Sequence, residues 1–522
     1  MTLLEVVLFA ALVGAVVLSW LPRRSLRPWA FRCAVAGTII AIIDVVVGNL
    51  RWQIVPVCVL ALLILAVTFV RARRNAPSKR TWPRTLIASM GALSILVLLA
   101  AALLPALMFP VFLPPKPAGP HDVGIADLHL IDTTRAETTT SDPDDHRELM
   151  VRVWYPARAP IDASPEPFVR DIEPLYSVLS RGAPFFQPYM LDHLQRVRSH
   201  SYLGAPLADA EERFPVLIFS HGNALYAGQN SLLMEHLASH GYVVFGIDHP
   251  YQAAAVRFPD GRVARYRDDW QTRQPPDAGQ IGRQQRLFFE ALHAPTYEQY
   301  LQLMDQLISI SSGASQGVQL WVEDTAFVLD ELARGARTTG RFSDRVDLDR
   351  VGVFGMSLGG AVAGRFCEQD LRCKAGLNMD GLQYGVTGTS IRIQRPFMFI
   401  YADQRGAASG FLPGVEAGSA VPFRMNDFAY RHAGDVTFFM TIAGARHLNF
   451  SDFAFASNHL RWAGGLGDIA PEAMRELLDD AVLAFFDRTL RGAREPLLEG
   501  MLSQRAGVLE FGHRDGRAHS VE

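Results

Sequence analysis

At 522 residues the chain is too long for one ordinary core, and its 49% hydrophobic content and mean hydropathy of +0.11 imply that part of it lies in a membrane. The net charge is −3, lysine occurs only at Lys79, Lys116 and Lys374, and no basic surplus or basic-aromatic stripe is present. A nucleic-acid partner is therefore excluded. Four cysteines give no disulfide framework of the small secreted kind. Cys33 and Cys58 fall in apolar runs and read as small hydrophobes, whereas Cys367 and Cys373 bracket a helix end and would be bridged in an oxidising compartment.

Four apolar runs come first: Leu3 to Trp20, Cys33 to Leu50, Ile54 to Val70 and Leu86 to Leu113. Each is close to the roughly 20 residues a bilayer core requires, which predicts four transmembrane helices over residues 1–113. The first run lacks a basic flank and a small-residue cleavage site and is expected to stay attached. Arg23, Arg24 and Arg27 lie in the first loop, and Arg71, Arg73, Arg74, Lys79, Arg80 and Arg84 in the third, against Arg51 alone in the second. Positive-inside bias then puts both termini outside, with everything after Pro114 on the periplasmic or extracellular side of a bacterial inner membrane. Asp44, ionisable at membrane depth, is a functional candidate, although Asn49 and Arg51 nearby would satisfy it locally. Residues 114–126, rich in proline, read as a stiff linker.

The catalytic domain is expected over residues 127–500, followed by a tail at 501–522. Asp127 to Arg135 and Glu148 to Tyr155 alternate apolar and polar residues, as antiparallel strands do. Residues 157–207 suit a cap or loop layer. Phe214 to Ser220 is an apolar strand that empties into His221-Gly222-Asn223. In α/β-hydrolases such a loop supplies an oxyanion donor, here the Asn223 N–H, though a plain strand-to-helix turn favours the same residues. Helix Ser231 to Ser239 and strand Gly241 to Asp248 complete a βαβ unit. His249, directly before Pro250, reads as a structural or rim residue. Residues 273–317 read as an insertion shaping the substrate mouth, helical from Gly282 to Ile308 and broken near Pro295.

Helix Val318 to Arg334 leads into strand Val351 to Phe354 and then Gly355-Met356-Ser357-Leu358-Gly359, the pattern of a nucleophile elbow. Helix Gly360 to Asp370 follows. The next two strands end in carboxylates, Asp380 and Asp403, and strand Thr437 to Ile442 precedes His447. A serine hydroxyl needs an imidazole to take its proton and a carboxylate to fix the imidazole. Ser357, then Asp380 or Asp403, then His447 is the chain order of the α/β-hydrolase fold, a mostly parallel sheet flanked by helices and here preceded by the four spans.

Phe219-Ser220-His221-Gly222, Leu237 to Val244, the elbow Gly355 to Gly360 and His447 to Phe453 together resemble the secreted-type platelet-activating factor acetylhydrolases and their bacterial relatives. The likeness runs from about Leu128 to Leu498. It implies Asp380 as the acid, with Asp403 as the alternative, and Asn223 and Leu358 as oxyanion donors. It also implies an ester or phospholipid substrate with short or oxidised acyl chains, beside a lipid bilayer. The family usually has His and Phe flanking the serine, where this chain has Met356 and Leu358, so the acyl pocket need not follow. A general carboxylesterase, a cutinase-like polyesterase or a non-catalytic membrane receptor with the same fold are the alternatives. No cofactor is expected, and no metal, because His, Cys and carboxylates do not cluster at ligand spacing. Nothing in the sequence bears on oligomeric state.

Overall fold

The computed structural model describes residues 3–21, 23–47, 51–73, 82–180, 187–267, 278–335, 339–385, 388–403, 425–434, 436–456, 458–462 and 464–514. They divide into two compact units, one of residues 1–113 with 186–197 and 455–459, the other of the remaining chain.

The first unit contains α1 (Leu3–Trp20), α2 (Arg27–Val46), α3 (Val55–Arg73) and α4 (Trp82–Met108), each long and apolar enough to cross a membrane. α2 starts ahead of its apolar run because Pro28, with no N–H to satisfy, sits in the first helical turn. Leu8, Leu12, Ala34, Ala61, Ile64 and Leu99 form the core of the bundle. Buried Arg51 ties it together: Nε and Nη2 donate to the two Glu5 carboxylate oxygens at 2.9 and 2.8 Å, and Nη1 to the Phe109 carbonyl at 3.3 Å. Arg51 is therefore turned to Glu5, and both carboxylate oxygens of buried Asp44 are without a hydrogen-bond partner among the described residues. The local pairing expected for Asp44 is not formed with Arg51, and Asn49, like Arg74, Lys79 and Arg80, lies outside the described residues.

The second unit is built on β1 (Asp122–Ala136), β2 (His146–Ala157), β3 (Ser201–Leu203), β4 (Phe214–Ser220), β5 (Val243–Asp248), the ribbon β6 (Ala255–Arg257) with β7 (Val263–Arg265), β8 (Val346–Met356), β9 (Cys373–Met379), β10 (Phe397–Ala402), β11 (Thr437–Ile442) and β12 (Val508–Arg514). Ten of these form one sheet in the order β12-β11-β10-β9-β8-β4-β5-β2-β1-β3. The six strands from β11 to β5 run parallel, β2 and β12 add antiparallel at either end of that block, and β1 continues antiparallel on β2. Runs such as Val216-Leu217-Ile218-Phe219 carry apolar residues on both faces because helices cover both sides of a parallel block. This is the mostly parallel, helix-flanked sheet of the α/β-hydrolase fold.

The insertion bears out its reading as a helix broken near Pro295, while two differences from the sequence reading have local causes. The insertion forms two helices, Ala278–Leu292 and Tyr297–Ser309, parted at Pro295, with the Thr296 side chain capping the second by accepting from the Gln299 N–H. The linker is held at its end, where the Gly119 and His121 N–H groups donate to Ser239. Finally, the tail beyond residue 500 supplies β12, whose short alternating run is completed by pairing with β11.

Candidate active site

β8 ends at Met356 and helix Leu358–Gln369 begins at once, so Ser357 alone makes the turn, at φ 56° and ψ −121°. Positive φ is costly for a residue with a Cβ and persists only where packing over-determines it. Here the Ser357 N–H donates to the Met379 carbonyl at 2.8 Å, and its own carbonyl accepts from the Gly360 and Ala361 N–H groups. The flanking glycines are needed for close approach: a Cβ at Gly355 or Gly359 would strike backbone at the end of β4, and one at Gly360 would strike Asn378.

Asp380 follows β9 at φ 54°, and a Cβ on the next residue, Gly381, would strike the Ser357 carbonyl. The acid turn and the elbow thus abut. Asp380 is 6% exposed; its Oδ1 accepts from the Ala402 N–H at 2.8 Å, and its Oδ2 lies 2.7 Å from His447 Nδ1. A carboxylate acceptor there puts the proton on Nδ1 and leaves Nε2 free to take another. Asp403 is elsewhere engaged. Its carboxylate accepts from the Gly444 N–H at 3.2 Å, and its N–H donates to the Ala445 carbonyl at 3.0 Å, bracing the turn that delivers His447.

Ser357, Asp380 and His447 line one cavity of about 480 Å³, walled by Phe288, Phe289, Leu307, Leu382, Tyr384 and Met425. Phe288 and Phe289 come from the insertion. Cys367 and Cys373, 5.0 Å apart at Cα, are disulfide-bonded and join the end of the serine's helix to the start of the aspartate's strand.

Asn223 and Leu358 do not line this cavity, but their peptides stand beside Ser357. Leu358 is the first residue of the helix, and a Cβ on Gly222 would come within 3.4 Å of Ser357 Cβ. The His249 N–H donates to His221 Nε2 at 3.2 Å, which places the His221 proton on Nδ1, 2.7 Å from the Gly222 carbonyl. That carbonyl also accepts from the Leu225 N–H at 3.0 Å. In a trans peptide C=O and N–H point opposite ways, so the Asn223 N–H faces away from His221 and Leu225. It makes no hydrogen bond among the described residues.

Behind this loop lies a second Ser, His, Asp arrangement. Ser220 Oγ is 3.2 Å from His249 Nε2, and His249 Nδ1 is 2.8 Å from Asp324 Oδ2. All three are fully buried, so His249 is no rim residue. Trp321 stacks on its ring at 4.1 Å. Burial pushes His249 down to about 4, so it is neutral near pH 7. Burial alone would raise the Asp324 carboxyl, but the Arg147 guanidinium and the His249 hydrogen bond outweigh it and hold it well below the usual carboxylate range. Arg147 and Arg135 both pair with it. Asp324 was not singled out from the sequence. Its signal was an acid sharing a helical face with Trp321, Thr325 and Val328, all buried.

A family model described as platelet-activating factor acetylhydrolase, isoform II, matches residues 109–495. The chain belongs to that family. The matched stretch follows the body of α1 to α4. Among curated members, a platelet-activating factor acetylhydrolase of Gallus gallus is 22% identical over 54% of this chain and 64% of its own. That of Bos taurus is 25% identical over 53% and 58%, and that of Canis lupus familiaris 24% over 66% and 72%. The chain thus spans about six-tenths of the length of the first two. Among solved structures, the ferulic acid esterase from Streptomyces cinnamoneus aligns with a TM-score of 0.49 at 24% identity, over 74% of this chain and 96% of its own.

Proposed function

We propose that this family member is a membrane-anchored serine ester hydrolase that releases short or oxidised acyl chains from phospholipid-like esters. The observation that carries the reading is the 2.7 Å contact from His447 Nδ1 to buried Asp380, at a cavity that also holds the strained Ser357. His447 Nε2 takes the Ser357 proton as Oγ attacks the ester carbonyl, and Asp380 holds the tautomer and stabilises the imidazolium. The Asn223 and Leu358 N–H groups receive the oxyanion; one such donor is worth about 10²–10³ in rate. His447 then gives its proton to the leaving alcohol, and water, activated by the same imidazole, releases the acyl group.

The relatives' name supports an acetyl ester as substrate, and the apolar cavity walls support an amphiphilic one. The α1 to α4 helices support anchoring beside lipid, and the Cys367–Cys373 bond supports an oxidising compartment for the catalytic unit. The test is labelling of the purified protein by a fluorophosphonate together with hydrolysis of p-nitrophenyl acetate. Both are expected in the native protein and lost in Ser357→Ala; a native protein that neither labels nor turns over would mark a binding protein instead.

A further inference from the structure

Arg446, beside His447, also lines the cavity, and among the described lining residues it is the one permanent cation. It takes part in no ion pair among the described residues, whereas Arg475, Arg491 and Arg505 in the same C-terminal stretch each meet a carboxylate. The guanidinium is nonetheless fixed. Nη1 donates to the Gly464 carbonyl at 2.5 Å, and the backbone N–H of Arg446 donates to Asn449 Oδ1 at 2.8 Å. Gly464 and Gly465, which line the same wall, put no side chain over it: a Cβ on Gly464 would already lie 3.4 Å from Nη1. The remaining N–H groups of the fork are thus held open in a cavity whose other walls are mostly apolar.

A pre-placed guanidinium that meets no carboxylate among the described residues is suited to receive an oxyanion that arrives with the substrate. Arg446, His447 and Ser357 line the same cavity, so a substrate seated there meets the cation and the candidate nucleophile together. A glycerophospholipid carries its phosphodiester one glycerol away from the sn-2 ester. We infer that Arg446 is a specificity-determining residue that binds the substrate's phosphodiester, selecting glycerophospholipids over neutral esters. The inference rests on the hydrolase reading above and deepens it.

The experiment compares native protein, Arg446→Gln and Arg446→Lys on three acetyl esters: a 1-alkyl-2-acetyl-glycerophosphocholine below its micelle concentration, the matching 1-alkyl-2-acetylglycerol, and p-nitrophenyl acetate. Arg446→Gln should lower kcat/KM for the phospholipid about tenfold, mostly through KM, and leave both neutral esters within about twofold. Arg446→Lys should recover most of the loss. Equal losses on all three esters, or no loss on the phospholipid, overturn the inference while Ser357-dependent turnover keeps the hydrolase reading. Loss of all turnover in native protein sinks both. A measurement on native protein alone guards against a misfolded variant: a lysophosphatidylcholine should inhibit p-nitrophenyl acetate hydrolysis at least about fivefold better than a monoacylglycerol of equal chain length, and equal inhibition counts against the phosphodiester site.

Discussion

Two Ser, His, Asp arrangements stand in this domain, one built on Ser357, His447 and Asp380 and the other on Ser220, His249 and Asp324. In both, a carboxylate accepts from a histidine Nδ1, at 2.7 and 2.8 Å. What separates them is surroundings. The His447 side chain is 46% exposed at a cavity, whereas the His249 side chain is sealed beneath Trp321 beside a carboxylate already matched by two arginines. The same three residue types thus give a candidate proton carrier in one place and a fixed strut for the His221 loop in the other.

The sharpest way to break this contrast is to blunt each carboxylate. Asp380→Asn should cut kcat about 10⁴-fold by mis-setting the His447 tautomer, and leave the melting temperature within a few degrees. Asp324→Asn should cost about 3–5 kcal/mol by unmatching buried Arg147, seen as a large drop in urea midpoint, while turnover per folded molecule stays within about tenfold. If the two variants exchange phenotypes, the roles assigned here are reversed.

A smaller effect is expected where the two arrangements meet. His221→Leu removes the donor that holds the Gly222 carbonyl, and kcat should fall about 10²-fold with little change in KM, the signature of a loosened oxyanion donor. His221→Asn, whose amide occupies roughly the place of Nδ1, should restore most of it. Unchanged kcat in His221→Leu would show that Leu225 alone orients the peptide.

The smallest effect is a pH slope. Asp452, five residues after His447, is buried and accepts from the Leu232 N–H at 3.0 Å; burial pushes its carboxyl up to about 7, against the opposing pull of Arg475. A raised folded-state value means the fold holds this proton more tightly than the unfolded chain does. Its contribution is full below the ordinary value near 3.9 and is lost as pH rises through about 7. Asp452→Asn should flatten the fall in melting temperature between pH 5 and 8 by a few degrees; an unaltered slope would place the titration elsewhere.

Much of the candidate site was legible because its parts lie where apolar strands stop. Ser357 and His447 each follow a run that reads as buried, and the His221-Gly222 loop ends β4, so chain order alone assembled them. The choice between Asp380 and Asp403 was not legible from the residues, since both end strands and only the fold decides which one reaches His447. Asp324 and β12 were missed for another reason. One is a single acid inside a long helix, the other a short strand that gains its character only by pairing with β11. The start of α2 was hidden because hydropathy does not register the proline that opens it.

The abutment of the two strained turns bears on how this protein can be redesigned. With Gly381 pressed against the Ser357 carbonyl, and Gly355, Gly359 and Gly360 wedged against their neighbours, the turns that carry Ser357 and Asp380 offer almost no room for new side chains. The cavity walls are built from side chains instead: Phe289, Leu382 and Met425 are buried and Phe288 packs against the core, so they tolerate replacements of similar volume. On the proposed function, a library aimed at new acyl groups belongs on those wall positions, with apolar replacements of similar volume, while the Ser357 and Asp380 turns are left as they are.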